Sequence, residues 1–265
     1  MWATLFVAAH AVQAQIVFTN VFRSGTNLQF DILAPAAQSC VIQAADSFNT
    51  AQWTDVSATT QGTLTFPFDR PHRFFRIKCG NEYSRNVVGY VTLTIQPRFS
   101  LIANPLVART NSVEVLFAGV PDGTSIYKFS SGKYTVNGLE FGEWSNPSQT
   151  LVPGEGAFLW HAGPGPISVI FTGEVASGYR TNTLPAGLSI ASNFLPVPGM
   201  PYKEIGLIFG EGDVIYRFDN SLQRFFVHGY ELGTWSREPY VIIGEAFFLN
   251  LPSPRTLCPW CDDFP

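Results

Sequence analysis

Two glutamates are the first candidates for catalytic chemistry in this chain of 265 residues. Glu155 and Glu245 each sit in a glycine-containing turn, within LVPGEGAFLW and VIIGEAFFLN. Two carboxyl groups about 5 to 10 Å apart across one sugar could hydrolyse a glycosidic bond. These two occupy equivalent places in two copies of a repeat, and nothing in the sequence brings them together. The pattern favours a structural role, in which each glutamate accepts hydrogen bonds from its own turn or a neighbouring strand.

The histidines restrict enzymatic chemistry further. After residue 14 the chain has His72, His161 and His228, which fall in three different units. It contains no G-x-S-x-G elbow, no H-E-x-x-H and no P-loop. A Ser-His-Asp triad would have to be assembled from distant loops. We therefore expect a non-enzymatic protein; the alternative is a secreted hydrolase acting on polysaccharide or ester, with its site between the two repeats.

Four cysteines are candidates for disulfides. Cys40 and Cys79 lie 39 residues apart on or beside two predicted strands, and in an exported chain we expect them to be oxidised rather than free. Cys258 and Cys261 form a C-x-x-C that looks like a redox motif, but no βαβ unit precedes it. We expect a small terminal disulfide loop there. A zinc site built from all four cysteines would need tighter spacing in the first pair, so we expect no metal and no cofactor.

Aromatic side chains near turns support a binding hypothesis, because exposed rings could stack on sugar faces or anchor a protein partner. The candidates are Trp160, Tyr134, Tyr230 and Tyr240. Trp160 comes first, because its counterpart in the second copy is Asn250. Trp144 and Trp235 are present in both copies, which favours a place in the core. The expected partner is a glycan or a cell-surface protein.

The composition and net charge exclude some classes of partner. Charged residues make up only 14% of the chain, Phe occurs 23 times, and the net charge is −4. This charge provides no basic field for nucleic acid or for an anionic membrane surface. Hydrophobic residues make up 46%, enough to build the cores of two or three domains.

The N-terminal segment resembles a targeting signal. Residues 1–14 form an apolar run that ends in Val12-Gln13-Ala14, which fits cleavage before Gln15. The run lacks the Lys or Arg expected after Met1, and the alternative is a first β-strand. It is too short to span a bilayer, and no later segment is long and apolar enough for a membrane helix. We expect a secreted or cell-surface protein.

An internal repeat organises the elements that carry these residues. The blocks between residues 99 and 160 recur further on with numbering shifts of 89, 91 and 90. The three anchoring pairs are Tyr127 with Tyr216, Trp144 with Trp235, and Glu155 with Glu245. We therefore predict β-repeat units at 97–175 and 176–257, each a set of antiparallel hairpins, followed by a tail at 258–265. Exposed strand edges could pair between copies, so self-association stays open.

Residues 15–96 predict a β-sandwich, because short β-rich runs alternate with turn residues every eight to twelve positions. The predicted strands are Ile16 to Phe22, Leu28 to Leu33, Cys40 to Ala44, Thr54 to Ala58, Leu64 to Phe66, Arg73 to Lys78 and Val87 to Ile95. No run shows a helical period. The fold class predicted for the whole chain is all-β.

Two resemblances add to this interpretation. VIQAADSFNTAQWTDVSA and RPHRFFRIK resemble fibronectin-III-like sandwich modules of large secreted bacterial proteins. SLIANPL, SIYKF and LVPGEGAFLW resemble a repeat with a G-W-N-L-I-x-x-P-like start and a P-G-E-G-aromatic end, found in exported bacterial surface proteins. In the second copy Phe194 replaces the Pro and Ala246 replaces the second Gly. The resemblance implies an extracellular adhesive or structural protein and supplies no catalytic residue.

Overall fold

The computed structural model describes residues 15–35, 39–48, 52–58, 62–177, 182–199 and 208–257. Within these ranges the protein is all-β, which confirms the predicted class, and every strand pair is antiparallel. The predicted signal segment 1–14 and the tail with Cys258 and Cys261 lie outside them. The described part contains no helix that is long and apolar enough to cross a membrane.

One helical turn, α1 at Val113–Leu116, accompanies twenty-one strands in the described ranges. The strands are β1 Val17–Ser24, β2 Asn27–Leu33, β3 Cys40–Ala45, β4 Thr54–Ala58, β5 Gly62–Pro67, β6 His72–Cys79, β7 Glu82–Tyr83, β8 Val88–Ile95, β9 Arg98–Ile102, β10 Ser125–Ser130, β11 Lys133–Glu140, β12 Glu143–Trp144, β13 Ala157–His161, β14 Ile167–Glu174, β15 Asn182–Leu184, β16 Gly187–Ser192, β17 Val214–Asp219, β18 Arg224–Glu231, β19 Thr234–Trp235, β20 Ala246–Leu251 and β21 Arg255–Leu257.

The N-terminal part is a sandwich-like pair of sheets. A three-stranded sheet of order β1-β2-β5 packs on a six-stranded sheet of order β14-β8-β6-β3-β4, in which β7 also pairs with β6. The alternation of residues along strand β2 explains this packing. Leu28, Phe30 and Ile32 are buried and alternate with more exposed residues, so one face of the strand enters the core between the two sheets. The ring of Phe30 packs 4.7 Å from that of Phe18 and 5.6 Å from that of Phe75.

The predicted disulfide between Cys40 and Cys79 is present. The two cysteines are directly opposite each other in the β3–β6 register, with Cα atoms 4.2 Å apart. An immunoglobulin domain instead uses its disulfide to join two sheets. Here the bond links neighbouring strands of one sheet and closes the chain segment that contains β4 and β5.

Strand β14 returns the chain to the sandwich. Residues 167–174 fall within the predicted first repeat, 97–175, and in the structure they pair with β8 along eight positions. Alternate side chains of this strand enter two different cores. Val169 and Phe171 pack into the core beside the sheet that contains β9 to β13, whereas Ile170 packs against the sandwich. The residues between β8 and β14 are therefore anchored to the sandwich at both ends.

Two five-stranded sheets follow, with corresponding strand orders. The first has the order β12-β11-β10-β13-β9 and the second has the order β19-β18-β17-β20-β16, and a short sheet pairs β15 with β21. Tyr127 stands opposite Phe158 in the first sheet, as Tyr216 stands opposite Phe248 in the second. The strand pairs β10–β13 and β17–β20 thus place aromatic residues at matching positions of the two sheets.

The sheets differ at the turn of the central hairpin. A two-residue turn, 131–132, joins β10 to β11, whereas a four-residue turn, 220–223, joins β17 to β18. These two additional residues account for the change in numbering shift from 89 to 91. Asn220 Oδ1 accepts a hydrogen bond from the Leu101 N–H (3.0 Å), and the Gln223 side chain bonds both the N–H and the C=O of Phe99. The longer turn therefore caps the edge of β9 and fixes the second sheet against the first.

Candidate functional site

A cleft lined by aromatic rings opens where the two five-stranded sheets meet. Its volume is about 390 Å³, and six side chains from both sheets line it: Phe99, Tyr127, Tyr134, Phe158, Phe218 and Phe225. The only polar groups on these six side chains are two tyrosine hydroxyls. Strand geometry places them together, because residues directly opposite each other in an antiparallel pair lie on the same face. Aromatic residues on one face of each sheet therefore meet at the junction.

Phe158 lies at the centre of the cleft. Its ring centroid is 5.1 Å from that of Phe218, at an interplanar angle of 90°, and 5.7 Å from that of Phe99. Tyr134 and Phe225 follow at 6.5 Å and 6.4 Å. Edge-to-face contacts of this kind stabilise aromatic clusters beyond the area that they bury. The rings thus form one continuous surface across the two sheets.

The cleft has a buried floor and an exposed rim. Phe158 and Phe218 are buried, whereas Phe99, Tyr134 and Phe225 keep 36%, 47% and 44% of their surface exposed. Three large exposed rings arranged around Phe158 form an apolar patch, and such patches mark interaction sites. A ligand that entered the cleft would contact the rim first and then the edge of Phe158.

The lining of the cleft carries no charged side chain. Arg98, Lys133 and Arg224 each directly precede one of the three rim residues, but successive side chains of a strand point to opposite faces. The Arg224 guanidinium accordingly lies 4.9 Å from the ring centre of Phe226 rather than over Phe225. Burial raises the pKa of the Tyr134 hydroxyl, so this group stays a neutral donor at ordinary pH. The cleft is therefore an uncharged aromatic surface.

One of the four predicted binding rings, Tyr134, is part of the cleft. Trp160 stands opposite Phe99 in the β9–β13 register but is half-buried and does not line the cleft. Tyr240 is exposed elsewhere. Tyr230 packs 5.2 Å from Trp235 and donates its hydroxyl hydrogen to a turn carbonyl. These three rings are not brought together with Tyr134 at this site.

Sequence reasoning did not identify the other five lining residues. A usable signal was present, because aromatic residues recur two positions apart in SIYKF and VIYRF, a spacing that puts them on one face of a strand. The tryptophans kept in both copies lie away from the cleft. Trp144 is buried 6.2 Å from the ring of Phe117, and Trp235 is half-buried 4.7 Å from that of Phe209.

Each glutamate of the duplicated turns is held by its own surroundings. Glu155 Oε2 accepts hydrogen bonds from the Val152 N–H (2.9 Å) and from Lys128 Nζ (3.0 Å) on β10. Neither Glu155 nor Glu245 is among the residues that line the aromatic cleft.

Glu245 has a tighter set of partners. Its Oε2 accepts hydrogen bonds from the Ile242 N–H (3.0 Å) and from Arg217 Nη2 (2.7 Å) on β17, while Oε1 accepts one from Arg217 Nε (2.8 Å). The two carboxylates therefore have equivalent structural surroundings, one in each sheet.

Two larger grooves flank the junction, with volumes of about 580 Å³ and about 690 Å³. The first contains the Arg217–Glu245 pair and Asp219, whose Oδ1 accepts hydrogen bonds from two N–H groups of its own turn. The second contains the Lys128–Glu155 pair. In the described part of the chain no cluster of three or more His, Cys, Asp or Glu residues could hold a metal ion. The carboxylates in both grooves already have partners.

Comparison with known proteins adds no relative: no family model, no curated protein and no solved structure matches this chain.

Proposed function

We propose that this protein is a non-catalytic binding module, secreted or at a cell surface, with an adhesive or structural role. The observation that carries the proposal is the cleft between the two five-stranded sheets, with six aromatic side chains and a rim that is exposed. Its volume lies at the lower end of the range for ligand sites. Aromatic clefts of this kind suit an apolar anchor side chain of a protein partner.

A protein side chain suits this lining better than a sugar. Sugar hydroxyls must be hydrogen-bonded when they leave water, and the six lining side chains offer only two hydroxyl groups. A glycan remains the second candidate, because the exposed faces of Tyr134 and Phe225 could stack on a sugar ring. The hydrolase alternative has less support, since Glu155 and Glu245 are engaged by their own turns and neighbouring strands.

We also infer that the two five-stranded sheets derive from one duplicated unit that follows a fibronectin-III-like module. Support for the duplication comes from the equal strand orders, the nearly constant sequence shift and the equivalent places of Glu155 and Glu245. Support for the module comes from the sandwich-like packing of residues 17–95 and from the sequence resemblance.

The test is binding of an aromatic dye, 1-anilinonaphthalene-8-sulfonate, whose rings suit the cleft. We expect the wild type to enhance dye fluorescence, and the double variant Tyr134→Ala/Phe225→Ala to lose that enhancement. Tyr240→Ala, which removes an exposed ring outside the cleft, is the matched control. Equal fluorescence for all three proteins would show that the cleft is not a ligand site.

A polysaccharide array, with released reducing sugar assayed in the same wells, separates the alternatives. Retention that depends on Tyr134 and Phe225 without release of sugar would favour the glycan. Release of sugar would overturn the non-catalytic assignment.

A further inference from the structure

Two hairpin tips expose apolar side chains to a degree that is unusual for a folded protein. Phe141 lies in the turn between β11 and β12, and Leu232 lies at the equivalent place between β18 and β19. Each keeps 94% of its surface exposed. Each is followed by a glycine, in the sequences EFGE and ELGT. The same feature thus occurs in both sheets.

The backbone at these tips makes the choice of residue more unusual. Phe141 and Leu232 have φ values of 54° and 52°, and the glycines after them are also at positive φ. Two-residue hairpin turns with this geometry favour Asn, Asp or Gly, because other side chains are strained in the left-handed region. A bulky apolar residue there is unfavourable both in conformation and in exposure. Local strain of this kind is a reason to suspect a function for the side chain.

Both tips are held in place by a carboxylate from a neighbouring turn. Asp122 Oδ1 accepts a hydrogen bond from the Gly142 N–H (2.9 Å). Glu211 accepts hydrogen bonds from the N–H groups of Leu232 and Gly233, both at 2.8 Å. The apolar side chains are therefore presented on ordered turns, which lowers the entropy lost on binding.

Carboxylates surround both tips. Phe141 lies between Glu140 and Glu143, near Asp122, and all three carboxylates are exposed. Leu232 follows Glu231 and is held by Glu211. Each tip is an apolar side chain among carboxylates, whereas the cleft is lined by uncharged aromatic rings. The carboxylates also disfavour an anionic membrane surface as the target of the tips.

Tip and cleft lie at opposite ends of the same strand. Tyr134 is the second residue of β11, and Phe141 directly follows its last residue, so the two are about 23 Å apart along the strand. Phe225 and Leu232 have the same relation along β18. A tip therefore cannot enter the cleft beside its own strand, and the complementary surface must come from another molecule.

We propose that the occupant of the aromatic cleft is a hairpin tip of a second copy of this chain, with Phe141 or Leu232 as the anchor. This proposal rests on the proposed function of the cleft and names its partner. Because the two surfaces are different, the contact is head-to-tail and extends into chains of molecules unless the geometry closes a ring.

The test is sedimentation velocity of the full chain over concentrations from about 1 μM to about 1 mM, a range that covers weak to moderate protein affinities. We expect the wild type to form dimers and longer species as concentration rises. Phe141→Asn/Leu232→Asn should weaken association at least about tenfold, the loss expected for one buried apolar anchor. Asn tolerates positive φ, so this variant should unfold at the same temperature as the wild type or higher.

Mixing experiments give the decisive result. The tip variant keeps an intact cleft, and Tyr134→Ala/Phe225→Ala keeps intact tips. Each should be monomeric alone, while an equimolar mixture should form dimers or trimers that do not grow further, because the cleft variant keeps two tips and the tip variant keeps one cleft. Tyr240→Ala, outside both surfaces, should associate like the wild type.

The proposal is wrong if the wild type is monomeric throughout, if the tip variant associates as strongly as the wild type, or if the mixture stays monomeric. Unchanged association of the tip variant would instead point to pairing between strand edges. Dye binding that still depends on Tyr134 and Phe225 in a monomeric wild type would leave the proposed function intact and refute only this choice of partner.

Discussion

The duplicated glutamates offer an internal comparison, because replacing each by alanine should have unequal effects. Glu155→Ala removes hydrogen bonds to the Val152 N–H and to Lys128. Glu245→Ala removes one to the Ile242 N–H and two to the Arg217 guanidinium. The turn and the neighbouring strand are equivalent in the two sheets. A difference in stability between the two variants therefore reports the different burial of the two glutamates and the different ion pairs that they form.

The magnitudes follow from exposure. The side chain of Glu245 is only 6% exposed, and that of Arg217 is 27% exposed. Removing one partner of a buried pair costs about 3 to 5 kcal/mol, and the partial access of water to Arg217 puts this case at about 3 kcal/mol. The side chain of Glu155 is 36% exposed, where an ion pair and one hydrogen bond to the turn contribute about 1 kcal/mol together. The expected difference is about 2 kcal/mol.

The assay is urea unfolding of the wild type and both variants, followed by circular dichroism, with the free energy of unfolding extrapolated to water. The dependence of this free energy on urea should be unchanged, because the same surface is exposed on unfolding. Equal destabilisation, or a larger loss for Glu155→Ala, would refute the argument from burial. A Glu245→Ala variant as stable as the wild type would show that this carboxylate does not serve the fold.

Three further predictions concern the described core. Burial lowers the pKa of His228, so the unfolded chain takes up a proton first and the free energy of unfolding falls below about pH 6.5. The first sheet has Asn137 at the position equivalent to His228. The variant His228→Asn should therefore lose less of its free energy of unfolding at low pH, as measured by urea titrations at several pH values. Burial raises the pKa of Tyr90 to about 12, so stability should decline between about pH 10 and 12 in the wild type; if Tyr90→Phe shows the same decline in alkaline melting curves, another group is responsible. Cys40→Ser/Cys79→Ser opens a covalent loop that spans 39 positions and should cost about 4 kcal/mol, whereas an unchanged urea midpoint would show that the bond contributes no stability.

Local patterns were sufficient to predict much of the N-terminal part. The predicted strand Leu28 to Leu33 appears as Asn27–Leu33, and Cys40 to Ala44 appears as Cys40–Ala45. Alternation of apolar and polar residues is a short-range property, so it can be read without knowledge of the pairing partner. The disulfide also followed from local reasoning, since both cysteines fall on strands.

Pairing between distant segments could not be read in this way. Residues 167–174 alternate like any half-buried strand, and they lie beside the first repeat in the sequence. Their partner β8 lies more than 70 residues earlier, and no local signal specifies which exposed strand edge they join. The structure therefore assigns to the sandwich a strand that the repeat pattern assigned elsewhere.

For the binding hypothesis, the sequence determined which rings were available and that the two copies carry matching ones. It placed Tyr134 among the candidates, but it also favoured Trp160, Tyr230 and Tyr240, because exposure was judged from proximity to a turn and, for Trp160, from the Asn250 that replaces it in the second copy. Which rings share a face across Phe158 depends on strand register, and which face stays open depends on how two sheets pack. Both are set by contacts between residues far apart in the chain, so only the tertiary structure decided that the cleft exists and what lines it.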